Sequence, residues 1–307
     1  FFKQKTAYEI TYGDWSSDVC SSDLGIGKLA AGDRVQLTDE KGKMYSFTLI
    51  EGGQWHSHKG WIDHNSLIGI DEGSVVTSNS GRNYQVLRPL FHDYLLSMPR
   101  GATIIYPKDS ASIMMYADIF PGAKVLEAGA GSGGLSIALL RAIGEAGELV
   151  SYEERGDFSS IAQQNVRDYF GEIPQRWKFH VGKVQDASLD SHFDRVIFDM
   201  LAPWECLDIA SKALRPGGVL CCYVATTTQL SKTAEALKAS ELFTEPESFE
   251  TLLRAWHHEG LAVRPMHSMN AHTGFLLFAR RMACGIKPIR RRRRPSKGSE
   301  EERLLFS

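Results

Sequence analysis

Cysteine is scarce in this chain and nowhere paired. Five occur in 307 residues, Cys20, Cys206, Cys221, Cys222 and Cys284, with no CxxC pair and no Cys/His spacing of the zinc type. A disulfide scaffold and a structural zinc module are therefore not expected, and the thiols fit a reducing compartment. Cys221 and Cys222 lie within "GGVLCCYVA", where buried small hydrophobes are the natural reading. Also lacking are any apolar run of about 18 residues and any signal-peptide core. The expectation is a soluble, cytoplasmic protein with neither membrane nor metal among its partners. Net charge is only −2, so global charge does not argue for a polyanionic partner. The balance is uneven, because residues 287–303 hold eight basic side chains against three acidic ones. A nucleic-acid surface would have to be a local patch together with that arginine run.

With 43% hydrophobic and 23% charged residues, the rest has an ordinary globular balance. Residues 32–97 read as short β-type runs between turns. The alternation Arg34-Val35-Gln36-Leu37-Thr38 followed by Glu40-Lys41-Gly42-Lys43 predicts a hairpin. From about residue 109 strands alternate with helical stretches. "AKVLEAG", "ELVSYE", "KFHVG", "FDRVIFDM" and "GGVLCCYVA" read as strands, while "GGLSIALLRAIG", "FSSIAQQNVRDYF" and "PWECLDIASKAL" read as helices. That alternation predicts βαβ units on a parallel sheet with helices on both faces. "GLAVRPMHSM" and "TGFLLFARRM" are expected to form a closing antiparallel hairpin.

The motif "VLEAGAGSGGLS" runs a buried strand into Gly129, Gly131, Gly133 and Gly134 and then into a helix. Bare backbone at such a turn lets a ligand approach the helix start. Gly129, Gly131 and Gly134 also satisfy GxGxxG, so a nicotinamide-dependent oxidoreductase is a legitimate rival. Two carboxylates bear on the choice. Glu127, just before the first glycine, could face an ammonium and would repel a pyrophosphate, which suits S-adenosyl-L-methionine. Glu153, ending the next strand, is placed to accept hydrogen bonds from ribose hydroxyls of either cofactor. Asp199 in "FDMLAPW" ends the fourth strand and should project into the same crevice, unless it serves only to cap the helix that follows. In "IIYPKDS", Pro107 forces Tyr106 into an extended conformation leading toward the crevice.

Together with "GDRVQLTDEKG", "VLRPL", "SMPRG", "IFPGAKVLEAGAGSG", "YVATTTQLS", "TEPESFETL" and "HTGFL", these residues resemble the tRNA (adenine-58-N1)-methyltransferases, most closely the actinobacterial branch. The likeness spans about residues 32–283. It implies an α/β fold, a Rossmann-like class I methyltransferase with a seven-stranded sheet and a small N-terminal all-β domain. It further implies S-adenosyl-L-methionine as methyl donor, tRNA as substrate and a homotetramer. Its implied cofactor contacts are Glu127, Gly129, Gly131, Ser132, Gly133, Gly134, Leu135 and Glu153. Asp199 would be the catalytic acid, and Tyr106 would line the adenine pocket. A non-catalytic RNA-binding relative is the third reading, kept open by one departure. Where the family has an acidic residue near the cofactor adenine, this chain has Lys183, which cannot accept a hydrogen bond. A backbone group or Asp186 would then have to serve, or affinity falls. Trp204 is a further candidate for holding the base, and Lys108, Arg100 and the tail arginines for contacting phosphates. Asp199 is expected to keep an ordinary carboxylate acidity.

The chain does not begin with Met, and residues 1–24 resemble translated sequencing-adapter read-through rather than protein. The expected organisation is a non-native segment at 1–24, a β-rich domain at 25–98, the methyltransferase domain at 99–286 and a basic disordered tail at 287–307.

Overall fold

The computed structural model describes residues 27–187, 193–269 and 271–290. The adapter-like segment, with Trp15 and Cys20, and the tail from 291 onward lie outside the described residues. Two compact units divide at Phe91 and His92.

The first unit is built of antiparallel strands, β1 (Arg34–Asp39), β2 (Met44–Thr48), β3 (Gln54–Ser57), β4 (Gly60–Asp63), β5 (Val75–Thr77) and β6 (Asn83–Leu87). Among the described residues they form a sheet of order β2-β1-β6-β5 and a separate β3-β4 hairpin. The predicted β1-β2 hairpin is present, with Arg34 opposite Thr48 and Thr38 opposite Met44. Asp39 makes its turn by accepting the N–H groups of Lys41 and Lys43 on one carboxylate oxygen, at 3.0 and 2.9 Å, while Gly42 takes φ 76°. Val35, Leu37, Ile62, Leu67, Tyr84 and Val86 form the core.

The second unit contains α1 (Phe91–Ser97), α2 (Pro107–Tyr116), β7 (Lys124–Ala128), α3 (Gly134–Ile143), β8 (Glu148–Glu153), α4 (Gly156–Phe170), β9 (Trp177–Val181), β10 (Phe193–Asp199), α5 (Leu207–Ala213), β11 (Leu214–Val224), α6 (Thr227–Ser240), β12 (Glu247–Phe249), β13 (Trp256–Glu259), β14 (Ala262–Pro265) and β15 (Phe275–Arg280). A seven-stranded sheet of order β12-β15-β11-β10-β7-β8-β9 runs through the described residues. Its strands β11, β10, β7, β8 and β9 are parallel. Four of them carry adjacent apolar residues buried on both faces: Val125 and Leu126, Leu149 and Val150, Ile197 and Phe198, and Leu220 and Cys221. The chain starts at β7 and winds outward first to β8 and β9, then to β10 and β11. The order therefore reverses between β7 and β10, which opens a crevice at their carboxyl ends.

Two expectations are corrected here. The closing hairpin does not form as predicted: β14 pairs with β13, while β15 inserts antiparallel between β11 and β12. The reason is burial. Leu276 and Leu277, on opposite faces of β15, are both fully buried, as an interior strand requires, whereas β14 is exposed along most of its length. The segment "PWECLDIASKAL" is split, with a short 3-10 turn at Pro203–Cys206 before α5.

Replacing Leu277 with Ala should cost about 2–5 kcal/mol, because rigid strands on either side cannot close the void. Urea unfolding followed by circular dichroism measures it, and a cost below about 1 kcal/mol would contradict the interior placement of β15.

Candidate functional site

At the crevice the chain closes around a cavity of about 560 Å³. Each strand that meets it contributes its last residue or two: Ala128 from β7, Tyr152 and Glu153 from β8, Asp199 from β10, and Tyr223 and Val224 from β11.

The glycine turn between β7 and α3 is shaped by close approach. Gly129 has φ 88°, and a Cβ there would lie 1.8 Å from the Asp199 carbonyl oxygen. Gly133 has φ 81° and packs against the backbone of Ala162 in α4, at 3.0 Å from an added Cβ. The glycines thus let β7, β10 and α4 converge on one point. Glu153 fixes the turn, taking the Gly131 N–H on one carboxylate oxygen at 2.8 Å and the Arg155 N–H on the other at 2.9 Å. Ser132 faces away. Its hydroxyl oxygen accepts from the N–H groups of Gly101 and Ala102 at 3.1 and 3.0 Å and donates to the Ala102 carbonyl, binding the 99–102 segment to the turn.

Three carboxylates share this edge of the sheet. Glu127 is fully buried, with one oxygen accepting from Ser136 and Ser151, each at 2.6 Å, and the other without a partner. Burial pushes its pKa up to about 7; the two serines oppose that shift, and the Glu153 charge adds to it. Asp199 is raised to about 7 as well, by burial and then by the charges of Glu127 and Glu153. The expected ordinary acidity of Asp199 is therefore corrected: like charges at a dry strand edge oppose ionisation. Asp199 is also not a helix cap, since Ala202 holds that place with no side-chain bond.

Among the predicted site residues, Gly129, Gly131, Glu153, Lys183 and Asp199 line the cavity. Glu127, Ser132, Gly133, Gly134 and Leu135 do not. Glu127 is fully buried, the hydroxyl of Ser132 is taken up by the 101–102 backbone, Gly133 packs against Ala162, and Gly134 and Leu135 are buried in the first turn of α3. Tyr106 precedes α2 and is not among the lining residues. Lys183 pairs with Glu154 at 3.5 Å, and Val184 and Gln185 line the wall beside it while Asp186 does not. Trp204 lies under the Lys232 ammonium, 5.3 Å from the ring centre, and away from the cavity wall. Lys108 cannot serve phosphates from where it stands, because its nearly buried ammonium is bound to Asp109, Thr251 and Thr273.

Sequence reasoning passed over Tyr223, Phe158, Gln185 and Gln229, all of which line the cavity. Tyr223 pairs in register with Asp199, so the strand-end argument that found Asp199 applies equally one strand over. Phe158 carries the Arg155 guanidinium 3.7 Å from its ring centre, a contact between residues three apart that only the helix start brings together. No group of three or more metal-binding side chains occurs among the described residues, and no helix there is long and apolar enough to cross a membrane.

Comparison with known proteins gives a consistent result. Residues 27–76 match the family described as TrmI-like N-terminal, and residues 84–261 match the family described as tRNA methyltransferase complex GCD14 subunit. The tRNA (adenine(58)-N(1))-methyltransferase TrmI of Thermus thermophilus is 37% identical over 246 residues, 80% of this chain and 95% of that protein. Among solved structures, a SAM-dependent O-methyltransferase from Thermotoga maritima superposes with a TM-score of 0.78 at 30% identity, covering 87% of this chain and 97% of the other. The tRNA (m1A58) methyltransferase TrmI of Aquifex aeolicus gives 0.74 at 27% identity, covering 84% and 100%.

The raised acidities give stability a definite pH dependence. Unfolded carboxyls release their protons near pH 4, whereas Glu127 and Asp199 hold theirs to about 7. Their protonation therefore favours the folded state increasingly as pH falls from 7 toward 4, and stability drops as pH rises through that window. Urea midpoints measured from pH 4.5 to 7.5 should show this slope, and Glu127→Gln should flatten it; a slope unchanged in the variant would remove Glu127 from the account.

Proposed function

This chain belongs to the tRNA (adenine-58-N1)-methyltransferase family, and on that premise we propose that it transfers a methyl group from S-adenosyl-L-methionine to N1 of the T-loop adenine of tRNA. The observation that carries the reading is the trio of carboxylates at one strand edge. Burial raises Glu127 and Asp199, and the Glu153 charge adds to both, so a cationic ligand relieves the crowding and an anionic one worsens it. A dinucleotide pyrophosphate is disfavoured on that ground, which argues against the nicotinamide reading of the glycine motif.

The residues present fit the methyl donor. Glu127 has an unpartnered buried oxygen next to the strand end, and Gly129 and Gly131 line the cavity where an amino-acid moiety would lie. Each Glu153 oxygen, with one lone pair used by a backbone N–H, has another to offer a ribose hydroxyl. Gln185 can accept a hydrogen bond through its amide oxygen where Lys183 cannot, and it stands on the same wall. When bound, S-adenosyl-L-methionine supplies a methyl group on a positively charged sulfur.

Asp199 does the work on the accepting base. No donor among the described residues satisfies its carboxylate, which is free to accept the exocyclic N–H and align the ring nitrogen. Alignment of well-oriented reactants supplies ~7–11 kcal/mol of barrier reduction, so no metal is required. The positive charge that the methylated ring acquires is then stabilised by the same carboxylate. Tyr223, beside it, completes that wall. Extruding the base from the folded RNA costs a few kcal/mol.

The enzyme works as a homotetramer in this reading. In its support, Leu252, Leu253, Trp256, Leu261 and Val263, on and around the β13-β14 arm, are more than half exposed, an apolar surface suited to self-association. A tRNA substrate and the reduced thiols point to the cytoplasm.

Labelled donor incubated with an unmodified tRNA transcript, followed by nucleoside mapping, should yield 1-methyladenosine at the T-loop position. A methyl group found on oxygen would replace this reading with that of an O-methyltransferase. Asp199→Ala should abolish transfer while leaving the donor's dissociation constant within a few-fold, as calorimetry would show. In the wild type, kcat/KM should rise with pH through about 7, as Asp199 ionises; a flat profile would detach the chemistry from that carboxylate.

A further inference from the structure

One buried side chain on α4 joins the segments around the cavity. Asn165 is fully buried, and its amide nitrogen donates to the Pro99 carbonyl at 2.9 Å and to the Ser132 carbonyl at 2.8 Å. Its own backbone carbonyl accepts the Tyr94 hydroxyl from α1 at 2.9 Å. The amide oxygen is buried and has no partner among the described residues.

Two carbonyls can be met only by the two donors of the NH2 group, so the amide cannot be turned over. An acceptor buried without a partner costs stability, a cost that an apolar side chain of the same shape would not carry. What Asn165 contributes at this place is therefore its pair of donors.

Those donors hold a strap, residues 99–103, which lies outside any helix or strand. The strap packs on α4, since a Cβ added at Gly101 would come within 2.8 Å of the Phe158 ring and 2.6 Å of Ile161. The Ser132 hydroxyl oxygen accepts the Gly101 and Ala102 N–H groups, and Ala102 then reaches the glycine turn, its Cβ 3.5 Å from where one on Gly131 would stand. Ala102, Thr103 and Phe158 all line the cavity. One wall of the pocket is thus an irregular segment pinned to the turn by Asn165 and Ser132.

We propose that Asn165 is a positioning residue for the methyl donor: by holding Pro99 and Ser132 on one amide it keeps the 99–103 strap against the glycine turn, so that the donor meets a wall already in place. The identity of the donor rests on the methyltransferase reading, whereas the anchoring is a property of the protein alone.

Two measurements test it. Hydrogen exchange followed by NMR on the protein without donor should show the Gly101 and Ala102 N–H groups exchanging about tenfold faster in Asn165→Leu than in the wild type, with the sheet amides of Leu126 and Ile197 unchanged. Strap amides as protected as in the wild type would overturn the anchoring. Faster exchange in strap and sheet alike would make Asn165 merely structural and sink the proposal. Calorimetry with S-adenosyl-L-methionine should show the dissociation constant of the variant weakened about tenfold, the equivalent of one net hydrogen bond. In turnover of a tRNA transcript, KM for the donor should rise in step while kcat falls less than about twofold. Unchanged donor affinity, or a loss confined to kcat, would overturn the proposal. A wild type that binds no donor would overturn the methyltransferase reading instead, and the exchange result would still decide the anchoring. Should Asn165→Leu fail to fold, Asn165→Ser, which keeps a single donor, takes its place in both measurements with changes of the same sign.

Discussion

Burial of Glu127 and Asp199 beside the Glu153 charge is the constraint around which the carboxyl edge of the sheet is arranged. Both are costly to ionise there, and the nearby donors go to Glu127 and Glu153. Ser136 and Ser151 serve Glu127, and the backbone N–H groups of Gly131 and Arg155 serve Glu153. Asp199 is left without a donor, facing the cavity. The glycine turn belongs to the same arrangement, because only a residue without Cβ at 129 lets β7 come so close to the end of β10.

Such an edge is poorly suited to phosphates and well suited to cations. In the proposed reaction sulfonium chemistry exploits this twice: the donor arrives positively charged, and the charge then passes to the base that Asp199 would hold. The site can therefore be sparse. It needs orientation and negative potential at a place where charge relocates, and both are built into strand ends rather than mobile loops.

Much of this was legible in the sequence. Strand-turn-helix register around Gly129 and the strand-end rule for Asp199 both rest on local patterns, and the structure places both residues at the cavity. What escaped were features set by packing between distant segments. Lys108 reads as a surface cation beside a flexible motif, yet residues 251 and 273, more than 140 positions away, bury it. Ser132 stands within the motif but faces the 101–102 backbone. The pairing of β15 was misread because an exposed strand and an interior strand of similar composition differ only in how many faces are apolar. The acidity of Asp199 depends on neighbours contributed by two other strands, which no linear pattern reveals.

The most direct test of the central claim is the count of protons exchanged when S-adenosyl-L-methionine binds. Calorimetry at pH 7 in two buffers of different ionisation enthalpy gives that number. If Glu127 and Asp199 are held partly protonated by burial and neighbouring charge and relieved by a cation, binding should release protons, and Glu127→Gln should reduce the release. Binding with no proton exchange, or with uptake, would contradict the account.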